Sequence, residues 1–89
     1  METATKEFAT ADLYLSSAIS IFLNTAPQFR VENGRTFFVF PVSDDLYRAM
    51  SDFNSGAPIN ALTYSLMLKR LRGEMLMRRY SSGSQGELR

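Results

Sequence analysis

The dipeptide Asn33-Gly34 constrains this chain more than any other feature. It sits inside QFRVENGRTFFVF, Gln28–Phe40, between two runs rich in Phe, Val and Thr. A two-residue type I′ turn needs positive φ at both central positions, which Asn and Gly tolerate best. That turn sets a register. Glu32 faces Arg35, Val31 faces Thr36, Arg30 faces Phe37, Phe29 faces Phe38 and Gln28 faces Val39. Side chains alternate between faces, so Phe29, Val31, Thr36, Phe38 and Phe40 form a core face. Gln28, Arg30, Glu32, Arg35, Phe37 and Val39 form the other, which is polar near the turn and apolar at the base. An isolated hairpin is marginal in water and needs helices on its apolar face. Phe37 and Val39 need cover of their own, from a helix, the tail or a second copy. Two copies joined by their open edges would make a four-stranded sheet.

The flanking segments supply the helices. Met1–Ala9 reads as a polar arm, with Phe8 either a hydrophobic staple or the start of a short extended segment. Thr10 is the expected N-cap of a first helix, with Asp12 in its first turn. Ala11, Tyr14, Leu15, Ala18, Ile19 and Phe22 share its apolar stripe, and Ser16, Ser17, Ser20 and Asn24 lie opposite as a solvated face. The helix stops near Leu23, before Ala26-Pro27. After the second strand, which Pro41 ends, Ser43 caps a short helix. Asp44 and Asp45 complement the dipole at its start, and Leu46, Tyr47, Met50 and Phe53 form its apolar face.

Breakers over 54–58 lead to a third helix, which starts near Pro58–Asn60 and runs to Arg79 or Tyr80. One of its stripes is Tyr64, Met67, Leu68, Leu71 and Met75; a second is Ile59, Leu62, Leu66 and Met77. A helix apolar on two sides is expected to be buried between the domain and something else. Gly73, near the second stripe, marks a close approach, a bend or an early end. Ser81–Arg89 reads as a polar disordered tail. The expected organisation is an arm (1–9), one α+β domain (10–80) and that tail (81–89). Within the domain the order is helix, two-stranded antiparallel hairpin, short helix and long C-terminal helix.

Composition narrows the chemistry. The chain has no Cys and no His. Cys/His zinc sites, a Cys nucleophile and a His general base are therefore excluded, and no disulfide staples a domain of this size. The lack of Cys fits a reducing cytoplasm. The first ten residues lack the pattern of a signal peptide, and no apolar run has transmembrane length. Asp44-Asp45 is the one adjoining carboxylate pair, but neighbouring helix residues diverge by about 100° and do not converge on one ion. An enzyme would need Asp12, Asp44, Asp45 and Glu32 to meet in one cleft. No catalytic, metal or cofactor-binding residue is assigned.

The formal charge of +1 carries no message for the whole chain. Locally, Lys69, Arg70, Arg72, Arg78 and Arg79 face only Glu74. With Arg30 and Arg35 they are the candidate nucleic-acid contacts, although Lys69, Arg70 and Arg72 project in three directions. The favoured reading is a non-enzymatic interaction module that pairs with itself or another protein through Phe37, Val39, Leu62, Leu66 and Met77. A nucleic-acid-binding accessory protein using the basic helix is the alternative.

The order of features also resembles a small uncharacterised domain found in bacterial and phage-related genomes. The residues that carry the resemblance are the T-x-D-L-Y-L start at Thr10–Leu15, the F-x-F strand Phe38-Val39-Phe40, the short helix ending near Phe53-Asn54-Ser55-Gly56, and the long basic helix. They span about two-thirds of the chain. The resemblance implies a bacterial or phage origin and a cytoplasmic setting, with no activity attached.

Overall fold

A computed structural model describes the backbone of residues 6–87 and the side chains of residues 6–79. The elements run β1 (Glu7–Thr10), α1 (Leu13–Leu23), β2 (Gln28–Glu32), β3 (Arg35–Pro41), α2 (Asp44–Asn54) and α3 (Ala61–Glu87). The class is α+β, with a three-stranded sheet in the order β1-β3-β2.

The hairpin has the register that its turn dictates. Asn33 and Gly34 have φ of 55° and 76°, and all five pairs from Gln28↔Val39 to Glu32↔Arg35 form. Pro41 is the last residue of β3.

Of the two alternatives for Phe8 in the expected arm, the extended one forms, as the strand β1. β1 pairs antiparallel with β3, Phe8 opposite Phe40 and Thr10 opposite Phe38. The arm's residues 1–5 lie outside the described residues. β1 closes the edge of β3 that the sequence left open, and it adds Phe8 to the core face. Both outer strands run antiparallel to β3, so they are parallel to each other, with α1 as their connection: a split βαβ unit. Such a crossover has to lie across a face of the sheet.

That placement overturns the expected environment of α1. The helix packs against both α2 and α3, and Ser16, Ser17 and Ser20 are buried rather than solvated, while Tyr14 is exposed. The three serines work as small residues that let neighbouring elements approach closely. Their hydroxyls have no hydrogen-bond partner. The cap also differs. Thr10 is committed to β1, so Asp12 takes the N-cap, its Oδ1 accepting from the N–H groups of Tyr14 and Leu15. At the other end Asn24 adopts the left-handed conformation and closes the helix after Leu23.

α2 starts as its residues predict, with Ser43 Oγ accepting from the Leu46 N–H at 3.0 Å and Asp44 and Asp45 in the first turn. Ala49 is buried in its inner face, whereas Tyr47, expected there, is exposed. α3 is capped by Asn60, whose Oδ1 accepts from the Thr63 N–H. It continues to Glu87 instead of ending near Tyr80. Propagating an established helix fixes one residue per hydrogen bond, so polar composition alone does not stop it. Residues 88–89 of the expected tail lie outside the described residues.

All three helices contribute to one core with β3. Ile19, Phe38, Phe40, Leu46, Ala49 and Leu71 are its buried cluster. α3 is locked to the sheet by Thr36, whose Oγ1 donates to the Met75 carbonyl at 3.3 Å. Arg78 lies over the Phe29 ring, 4.4 Å from its centroid. At the start of α3, the Tyr64 hydroxyl donates to the Tyr14 carbonyl at 3.0 Å. Burial, then the charge of Asp12, then Tyr14 raise the pKa of Tyr64 above its ordinary value.

Candidate interaction surface

Two surfaces were expected to need cover, and the structure treats them differently. On the outer face of the sheet, Arg30 is opposite Phe37 and Glu7 is opposite Pro41. The two side chains form an ion pair that spans β3 at the level of Val39. Val39 is only 4% exposed and Phe37 is half-buried. The expected contact role of Val39 therefore has no accessible side chain behind it. The sequence missed this because the pair depends on β1. The Glu7–Arg30 contact joins residues 23 positions apart, with no local signal.

The second surface is different. Taking Leu62 as the reference at about 100° per residue, Leu66, Gly73 and Met77 fall within about 60° of it, on the opposite side from Leu71. Leu71 is buried against the core, whereas Leu62, Leu66 and Met77 are 68%, 56% and 62% exposed. Gly73 leaves a notch in the ribbon, because nothing lies within 4 Å of where its Cβ would be. The glycine marks neither a close approach nor an end, since nothing lies near its Cβ position and α3 continues past it. Ile59, counted with this stripe in the sequence, precedes the helix and is half-buried.

The basic residues divide by partner. Arg30 is held by Glu7, and Arg78 by Glu74 at 3.2 Å. Arg79 is half-buried, with its Nε enclosed and unpartnered. Arg35 is exposed at the turn, on the outer face of the sheet. Lys69, Arg70 and Arg72 are exposed on α3 and have no carboxylate at bridging distance among the described residues. The seven do not form one patch. Arg70 lies about 80° to one side of the Leu62 line, Arg72 about 80° to the other, and Lys69 close to the line itself.

The clefts are shallow and mixed in character. One of about 290 Å³ runs between α1 and α2, lined by Phe22, Leu23, Asp45, Arg48, Ala49 and Asp52. A second, of about 170 Å³, lies between the end of α1 and α3, and Ser20, Thr25, Met67 and Arg70 are among its walls. The carboxylates that an enzyme would need are dispersed. Asp12 caps α1, Asp44 and Asp45 start α2, with Asp45 bonded to Arg48 at 2.9 Å, and Glu32 is at the end of β2 by the hairpin turn. Among the described residues no three carboxylates gather as a metal site. No helix among them is long and apolar enough to cross a membrane. Comparison with known proteins finds no matching family model, no matching curated protein and no matching solved structure.

Proposed function

We propose that this chain is a non-enzymatic protein-interaction module that self-associates, and that its contact surface is the outer stripe of α3. One observation carries the reading: Leu62, Leu66 and Met77 are more than half exposed on a helix whose opposite side closes the core. Large apolar side chains aligned along one helix face are the usual raw material of helix–helix contacts. Composition supports the non-enzymatic part, because Cys and His chemistry is absent from the chain. Cytoplasmic residence and a bacterial or phage-related origin belong to the same proposal. They rest on the lack of cysteine and on the resemblance of Thr10–Leu15 and the later motifs. The nucleic-acid reading keeps Lys69, Arg70 and Arg72 as its unpaired cations.

The test is light scattering on a size-exclusion column over a concentration series, with absorbance ratios to detect bound nucleic acid. The expected mass rises from that of the 10.1 kDa monomer toward twice that value, and Leu66→Asp returns it to the monomer. A wild-type mass fixed at the monomer throughout removes self-association from the reading. Nucleic acid that co-purifies and is lost with Arg72→Glu favours the alternative.

A further inference from the structure

Resting on the reading of the α3 stripe as a self-association surface, we propose that an acidic amphipathic helix of another protein binds the stripe more tightly than a second copy of this chain does, and displaces it. Charge decides between these occupants. The apolar ribbon of Leu62, Leu66 and Met77 is flanked by Arg70 on one shoulder and Arg72 on the other, with Lys69 in its line. None of the three has an intramolecular carboxylate partner among the described residues. Glu74, the one acid of this stretch, is already bonded to Arg78.

Two copies placed face to face would set these cations against their own counterparts, with helix axes roughly 8–10 Å apart. Like charges so placed weaken the self-contact relative to pairing with an oppositely charged helix. A helix with Asp or Glu on the shoulders of its apolar stripe pairs with Arg70 and Arg72 while its apolar residues cover the ribbon. The shape also asks for a helix. Leu62–Leu66 and Gly73–Met77 are two i, i+4 steps of a ridge, the spacing that helix grooves receive. The open notch at Gly73 has room for one large apolar side chain from the occupant.

The experiment uses the full chain and a labelled synthetic peptide with Leu at heptad core positions and Glu on both shoulders. A scrambled peptide of the same composition, phosphatidylserine vesicles and duplex DNA are the comparison probes. Fluorescence anisotropy is expected to show saturable binding of the patterned peptide. Affinity should fall by roughly tenfold or more with Leu66→Asp, and by a similar factor with Arg70→Glu/Arg72→Glu. Added salt should weaken it, because the paired charges are at the surface. Both variants change exposed residues, and an unchanged circular dichroism spectrum confirms that they fold.

Equal binding of the scrambled peptide would overturn the proposal, as would binding of vesicles or DNA in preference to the patterned peptide. If wild-type self-association depends on Leu66 but the patterned peptide neither binds nor competes, the acidic-helix inference falls and the stripe remains a contact surface. If neither self-association nor peptide binding responds to Leu66→Asp, both readings fall together.

Discussion

At the scale of single residues, the serines of α1 separate polarity from location. Ser16, Ser17 and Ser20 read as a solvated face because hydroxyls are polar, yet size decided their place: a helix crossing the sheet between two others needs small side chains. Their enclosed hydroxyls bring a desolvation penalty without a bond to offset it. Ser20→Ala is therefore expected to stabilise the fold by about 1 kcal/mol, helped by alanine's higher helix propensity. A thermal melt should show a rise of several degrees, roughly 4–8 °C per kcal/mol for a domain of this size. A fall instead would mean that the hydroxyl is bonded in solution. Tyr64 makes a second case. Its pKa lies above the ordinary 10 because burial disfavours the phenolate, and the ionised oxygen cannot donate to the Tyr14 carbonyl. A group raised on folding contributes stability in full below its unfolded pKa, and that contribution is lost as pH climbs through the folded value. Alkaline unfolding should therefore steepen above pH 10, and Tyr64→Phe should delete one tyrosinate absorbance phase from that range.

Among the elements, the hairpin was the most legible part, since turn chemistry and period-two alternation both act locally. Gly34 carries the turn at φ 76°. A β-branched side chain there meets no neighbour but has to adopt a left-handed backbone, at a cost of roughly 1–2 kcal/mol. Gly34→Val should lower the urea midpoint accordingly, whereas Gly34→Asn should be nearly neutral. β1 was legible only as the extended alternative for Phe8, for the opposite reason. Four residues without turn signals become a strand only because β3, some thirty positions later, offers them an edge. The same gap hid the ion pair over Val39, and with it the reason why the outer sheet face is not a contact surface at that position. α2 was legible at its start, where Ser43 and the two aspartates act locally. The place of Tyr47 was not, because helical periodicity gives an angle and not the position of the neighbour.

For the whole molecule, the extents are 47 × 42 × 17 Å, the thickness of one sheet under one layer of helices. A molecule this thin has few enclosed volumes, and its candidate site is accordingly a surface. The two stripes of α3 were visible in the sequence as periodicity. Only packing tells the core stripe from the free one, and only the pairing of Arg78 and Arg30 with acids shows which cations remain unpaired. The place of α3 in the chain has a further consequence during synthesis. β1 and α1 are made before β3, and β1 has no partner until β3 has emerged. Leu71, and the carbonyl of Met75 that receives Thr36, follow the end of β3 by some thirty residues or more. Between the emergence of β3 and that of α3 the nascent polypeptide therefore carries an open aromatic sheet, and it cannot close its core until Leu71 has emerged.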